Sequence, residues 1–329
     1  MNDPNRRDFL RFSAASLAAA GFGSAVLAQQ QDSPVGIPTR PLGKTGVRVS
    51  IVGLGGYHIG IPDKKQAIAI MHEAIDEGMT FFDNSWDYHD GGSEEVMGAA
   101  LATGGRRQKV FLMTKVCARD YQGARQHLED SLRRLRTDVI DLWQFHEINW
   151  DVDPDWIFDR GALRCALEAR EAGKIRHIGF TGHKDPVHHL NMLAKPFAWD
   201  TVQMPINALD AHFRSFQKRV LPECTPRNIA VIGMKALAGG TIPTQLSISA
   251  ELCRRFALSL PISTLVCGIR SRQELQQDLA MARGFQPLEP AATEQLLAKT
   301  QAPAADGQLE PFKTTKYGSA YHAQQHAEQ

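Results

Sequence analysis

From Pro38 onward the chain alternates between two hydrophobic periods. Short, mostly apolar β-type runs read as strands: SIVGLG, MTFFD, KVFLMTK, VIDLWQFH, RHIGFTG, TVQMPIN, IAVIGMKAL and STLVCGI. Helical segments separate them, with apolar residues at i, i+3 and i+4. They are KKQAIAIMHEAIDEG, SEEVMGAALATG, ARQHLEDSLRRLR, GALRCALEAREAG, PVHHLNMLAKP, SFQKRVLPEC, SAELCRRFALSL and SRQELQQDLAMA. Gly78, Gly104 and Gly173 stand where helices end, since glycine adopts the left-handed conformation that closes a last turn. Ahead of these units, TRPLGKTGVRVS predicts a hairpin turning at Gly43-Lys44-Thr45-Gly46.

Eight strand–helix units without a linker predict one α/β domain. It is a (β/α)8 TIM barrel over residues 39–301 with an N-terminal β-hairpin cap. Gly53-Leu54-Gly55-Gly56, with Asp83 ending the next strand, imitates a dinucleotide-binding Rossmann unit. The third glycine is misplaced, Asp83 lies too far on, and a doubly wound sheet needs no eighth unit. Residues 302–329 are rich in Ala, Gln, His and Lys and read as a tail that wraps the surface or stays mobile.

The first 28 residues follow another pattern. MNDPNRRDFLRF carries Arg6-Arg7 ahead of the small, apolar run SAASLAAAGFGSAVLA, which ends at Ala28 before a linker over 29–38. That is the layout of an export signal, and Arg-Arg-x-Phe-Leu resembles the twin-arginine type that carries folded proteins across the bacterial membrane. It predicts a periplasmic protein whose partner is the twin-arginine translocation machinery. The run is too short and too rich in Ala, Gly and Ser to span a bilayer, so the mature form is expected to have no membrane segment. A net charge of +1 gives no reason to expect nucleic acid as a partner. The five cysteines are odd in number and show no CxxC spacing, so neither a disulfide framework nor a metal site is read. Buried thiols fit folding in the reducing cytoplasm before export.

The chemistry gathers at strand ends. In a (β/α)8 barrel the strand C-termini converge on one mouth. Asp83 closes MTFFD, Lys115 closes KVFLMTK and His146 closes VIDLWQFH, while Tyr88 follows in the crowded loop FFDNSWDYHDGG. This set suits reduction of a carbonyl by hydride. The carbonyl oxygen then needs a proton, and a phenol can give one although its ordinary pKa is about 10. Lys115 is expected to lower that pKa, with Asp83 pairing Lys115 and His146 donating to the carbonyl. Tyr57, Trp86, His89 and Trp150 are expected to rim the mouth and favour a hydrophobic or ring-bearing carbonyl. Cys117 could face the same cavity but reads as a buried, inert thiol.

At this point the chain resembles the aldo/keto reductase superfamily from about Thr39 to Leu279. The segments RPLGKTGVRVSIVGLGG, FFDNSWDYHDGGSEEVMGAAL, KVFLMTKV, DVIDLWQFHEI, GKIRHIGF, VQMPIN and LAGG carry the likeness in order. The resemblance implies an NADPH-dependent reductase, with NADH possible, and a catalytic tetrad of Asp83, Tyr88, Lys115 and His146. It further implies the nicotinamide against Gln203 and the adenosine phosphates at Gly268-Ile269-Arg270-Ser271, with Gly56 and Leu237 also facing the cofactor. Three positions depart from the family's pattern. Thr181-Gly182 stands for Ser-Asn, Met234 replaces a stacking aromatic, and Glu274 and Asp278 stand where an arginine or glutamine and an asparagine are common. Lys235 could add a phosphate contact. The alternative is a catalytically idle barrel that binds a nucleotide or carbonyl compound as a sensor or accessory subunit.

Overall fold

The computed structural model describes residues 31–32, 36–315 and 318–327. The expected export signal, residues 1–28, lies outside the described residues. Among the described residues no helix is long and apolar enough to cross a membrane.

A two-residue strand β1 (Gln31–Asp32) precedes a hairpin of β2 (Pro38–Pro41) and β3 (Arg48–Ser50). The hairpin pairs Thr39 with Ser50, Arg40 with Val49 and Pro41 with Arg48, and Leu42 N–H donates to Val47 O at 2.8 Å. Eight parallel strands then close a barrel: β4 (Val52–Gly55), β5 (Phe81–Asp83), β6 (Phe111–Val116), β7 (Ile140–Phe145), β8 (Ile175–Thr181), β9 (Thr201–Pro205), β10 (Ala230–Met234) and β11 (Thr264–Cys267). Each pairs with the next, and β11 returns to β4 with Leu265 opposite Val52. The expected (β/α)8 barrel is therefore present strand for strand.

Alternation along each strand sorts its residues. Leu112, Trp143, Phe145, Phe180 and Val202 point outward into the main core beneath the helices. Phe81, Phe111, Met113, Leu142 and Ile232 point inward, where Leu42 and Val49 of the hairpin pack with them at the N-terminal end. The hairpin thus plugs the bottom of the barrel. Gly43 makes that seat: with φ at +53°, a Cβ there would lie 2.6 Å from the backbone nitrogen of Ala230. Only glycine allows this approach, and Lys44 N–H then reaches Asn228 O at 3.0 Å.

The residues expected to wrap the surface or stay mobile form helices where they are described. The chain forms a helix at Pro290–Ala304 and two further helices at Pro311–Thr314 and Ala320–His326. Lys313 is fully buried and donates to Asp210 Oδ1 at 2.7 Å and to Phe213 O at 2.8 Å, with Glu310 Oε2 also at 2.8 Å. Asn207 Nδ2 donates to Glu310 Oε1 at 2.8 Å. Buried charges persist only when paired, so this cluster fixes the segment to the loop after β9. Beyond it, the last helix lies over the C-terminal ends of the strands. Polar residues and rings make those contacts rather than an apolar run, which is why composition left open whether the tail wraps the surface or stays mobile.

Candidate active site

Strand parity brings the expected groups together. Asp83 shares the inward face of β5 with Phe81, and Lys115 shares that of β6 with Met113. His146 continues the inward series of β7 after Leu142 and Gln144. Asp83 and Lys115 are almost wholly buried, and Lys115 Nζ donates to Asp83 Oδ1 and to Asn84 O, each at 2.6 Å. The same ammonium stands 3.2 Å from the Tyr88 hydroxyl and 4.6 Å from its ring centre. Tyr88 opens a short turn, Tyr88–Gly91, in which His89 and Asp90 take left-handed backbone angles. Its ring meets Tyr57 edge-on at 5.5 Å and His146 edge-on at 5.6 Å.

The electrostatics of the phenol run against the expectation. Burial pushes the Tyr88 pKa well up, and the carboxylates of Asp83, Asp87 and Glu147 push it in the same direction. Lys115 is close, but its ammonium already serves Asp83 and a carbonyl. Burial and the carboxylates thus favour the protonated phenol.

His146 is held by a network that sequence reasoning did not assign. Its Nδ1 lies 3.1 Å from Ser85 Oγ, 3.1 Å from Asp87 Oδ1 and 3.5 Å from Cys117 Sγ. Burial opposes ionisation of Asp87, yet the His146 ring, its hydrogen bond and that of Ser85 hold the carboxyl below its ordinary range. Arg119, fully buried on Asp153 at 2.8 Å, donates to the backbone oxygens of Cys117, His146 and Glu147 and so fixes both strand ends. Glu147 takes a left-handed φ of 49°. His183 Nε2 lies 3.4 Å from Glu147 Oε1, and Ser319 N–H donates to Glu147 Oε2 at 3.0 Å. Despite its burial, the hydrogen bond from His183 and the His146 and His322 rings bring the Glu147 carboxyl down to about 2. Asp87 sits in the polar crowd after β5 and Glu147 directly follows His146, so both carried a positional signal. His183 and His322 carried none.

The proposed cofactor positions divide. Gln203 is buried, donates to Asp83 Oδ2 at 2.6 Å, and leaves Oε1 buried without a hydrogen-bond partner among the described residues. That orphaned acceptor fits an amide N–H such as a carboxamide carries. Thr181 ends β8, and a Cβ on Gly182 would lie 2.7 Å from Ile148 O. Gly56 is likewise tight, its Cβ position lying 2.5 Å from Asp83 O. Met234 ends β10, and Lys235 follows with φ at +56° and its ammonium 4.9 Å from the Phe312 ring centre. Burial pulls the Lys235 pKa down to about 8, with Glu147 opposing. Leu237 packs into the cluster around Ile242 and Phe312. Gly268 abuts His58, whose ring would lie 2.6 Å from a Cβ there.

Arg270 and Ser271 open the helix Arg272–Arg283, where unpaired amides suit an anion. Glu274 currently fills that role. Its carboxylate accepts from Arg270 N–H at 2.6 Å and from the guanidinium at 2.9 Å. Asp278 turns inward instead: it is fully buried 2.9 Å from Arg254 Nε, and burial pushes its carboxyl up to about 6. It sits on the apolar face with Leu275, Leu279 and Ala282, so it anchors the helix from within.

The aromatic rim divides as well. Tyr57 is half exposed and its backbone oxygen meets His89 Nε2 at 2.8 Å, so these two border the mouth. Trp86 stacks on His127 at 3.5 Å, hydrogen-bonds Asp130 and touches Tyr321, which makes it part of the wall. Trp150 is covered by His326, stacked at 4.0 Å.

The comparisons agree with this geometry. A model of the aldo/keto reductase family matches residues 51–255. The chain is 34% identical over 273 residues to "Uncharacterized oxidoreductase YrpG" of Bacillus subtilis (strain 168), a match covering 73% of this chain and 81% of that one. It is 38% identical over 202 residues to "Methylglyoxal reductase YeaE" of Escherichia coli (strain K12), covering 58% of this chain and 66% of the relative. Among solved structures, the holo form of an aldo-keto reductase from Bacillus halodurans superposes with a TM-score of 0.69 at 24% identity, over 83% of this chain and 99% of that one. At that identity the superposition speaks to the fold alone, and the family model and the Bacillus subtilis relative together settle the rest: the chain belongs to the aldo/keto reductase family.

Proposed function

We propose that the protein is an NADPH-dependent oxidoreductase that reduces a small carbonyl compound to an alcohol, with Tyr88 as the proton donor. The observation that carries this reading is the buried contact of Asp83, Lys115 and Tyr88 beside His146 in one barrel mouth. Bound NADPH supplies the hydride to the carbonyl carbon. Gln203 through its free Oε1, Thr181, and the Arg270–Ser271 helix start would hold the cofactor. The chain's own task is the oxygen. Tyr88 gives its proton to the oxygen as charge develops, and Lys115 beside the phenol oxygen stabilises the phenolate left behind. Asp83 keeps that ammonium in place. His146, anchored through Nδ1, meets the carbonyl oxygen with its other nitrogen. The methylglyoxal-reducing relative supports a small carbonyl substrate. Purified protein should bind NADPH and oxidise it when supplied with aldehydes or ketones. Binding without turnover across such a panel would favour an idle sensor barrel instead.

The phosphate end gives a sharper expectation. Arg270→Ala should weaken NADPH by about tenfold or more, and NADH less, because a charge-assisted contact to the 2′-phosphate is lost. Glu274→Ala should do the reverse, freeing the amide and guanidinium that the carboxylate now occupies. Fluorescence titration of both variants with both cofactors measures this. Equal effects on NADPH and NADH would mean the loop does not read the phosphate.

The same proposal includes the location. Arg6-Arg7 and the apolar run that follows support export of the folded protein to the periplasm, with cofactor bound before crossing. Replacing Arg6 and Arg7 with lysine should leave folded, NADPH-oxidising protein in the cytoplasm on fractionation. Efficient export of that variant, or exported wild-type protein free of nucleotide, would refute the corresponding step.

A further inference from the structure

Four metal-ligating side chains meet beside the reacting groups. Asp87, Cys117, His146 and His322 each offer one ligand atom, and these atoms all lie within 4.8 Å of one another. They come from the loop after β5, the end of β6, the end of β7 and the C-terminal helix. Cys117 and His322 have no exposure, and His146 has almost none. His322 is the member without another explanation. Neither of its ring nitrogens has a hydrogen-bond partner among the described residues. An imidazole buried in that way is destabilising unless something meets its lone pair. Its position is nonetheless secured: Tyr321 meets Trp86 at 5.3 Å, and His326 stacks on Trp150 and Trp156. Glu147 Oε2 lies 3.8 Å from His322 Nε2, the kind of carboxylate that orients a metal-bound imidazole from behind.

We propose that Asp87, Cys117, His146 and His322 hold one divalent transition-metal ion of the zinc type, which fastens the C-terminal helix across the barrel mouth and switches off carbonyl reduction. A thiolate, two imidazoles and a carboxylate form the donor set of a tetrahedral zinc site, whereas Mg2+ and Ca2+ require oxygen ligands. Bonds of about 2.0–2.3 Å put tetrahedral ligand atoms about 3.3–3.8 Å apart. The His146–Asp87 and His146–Cys117 separations of 3.1 and 3.5 Å are already near that range. On binding, the Cys117 thiol gives its proton to solvent and a metal–sulfur bond forms. The ion binds on the Nδ1 side of His146 and, by fastening His322, holds the C-terminal helix over the mouth against an entering carbonyl compound, so inhibition is competitive with that compound and not with NADPH. The inhibition arm rests on the reductase reading; the binding arm does not.

The test titrates the full-length, metal-stripped and reduced protein with Co2+, followed by Zn2+ as competitor. One equivalent of Co2+ should bind, with sulfur-to-cobalt charge-transfer absorption and tetrahedral d–d bands that Zn2+ abolishes. Cys117→Ser should lose the charge-transfer band. His322→Ala should weaken Zn2+ by at least tenfold and raise the Zn2+ concentration that inhibits NADPH oxidation by the same factor. His322→Cys, which keeps a ligand, should retain tight binding, and this separates ligation from folding. Wild-type protein that binds no stoichiometric Co2+, or variants with unchanged band and affinity, would overturn the site. Tight binding without inhibition of an active reductase would overturn the switch.

Discussion

Tyr88→Phe should slow NADPH-dependent carbonyl reduction by about 10²–10⁴-fold, the range for losing a positioned general acid, and leave cofactor affinity essentially unchanged. The phenol ring packs between Tyr57 and His146, so phenylalanine fills the same space and removes only the hydroxyl. What disappears is the proton and the oxygen that faces Lys115 at 3.2 Å. Because burial and three carboxylates raise the phenol pKa, the donor stays protonated across the neutral range. Deprotonation of Tyr88 should therefore cause no fall in the reduction rate below about pH 10, the ordinary phenol value. Steady-state kinetics with a saturating aldehyde, run from neutral to alkaline pH, measure both. Wild-type turnover in Tyr88→Phe would mean that the proton comes from elsewhere.

Lys115→Met should unfold far more readily than the wild type, by about 3–5 kcal/mol, and should also be inactive. The side chains of Lys115 and Asp83 are 1% and 3% exposed, so removing the ammonium strands a carboxylate away from water. Gln203 still donates to Asp83 Oδ2, but it cannot neutralise the charge. The double variant Asp83→Asn with Lys115→Met removes both charges and should recover a large part of the lost stability while remaining inactive. Denaturant titrations of the wild type, each single variant and the double variant give the coupling directly. A Lys115→Met protein as stable as the wild type would show that the pair does not behave as a buried ion pair.

The barrel was legible because eight short, mostly apolar runs alternate with amphipathic helices, and three of those runs end in Asp83, Lys115 and His146, which parity carries to one mouth. Other features required three dimensions. The direction of the Tyr88 shift follows from burial first and then from the carboxylates of Asp83, Asp87 and Glu147, which enclose the phenol only after the loops fold. The role of Asp278 was within reach, since an acid on the apolar face of a helix implies a buried partner, here Arg254. The closing segment was not, because Lys313 and His322 enter the interior as paired charge and packed ring, and hydrophobic periodicity does not register either.

The order in which the chain emerges from the ribosome acquires meaning from these closures. β4 waits for β11 to complete its pairing, and the mouth is covered only once residues 320–326 have been made. Nascent chains therefore have neither a sealed sheet nor a finished site, and contacts so distant in sequence form slowly. That order of assembly fits the proposed export of the folded protein, since a chain threaded while still growing would cross the membrane before β4 and β11 had paired.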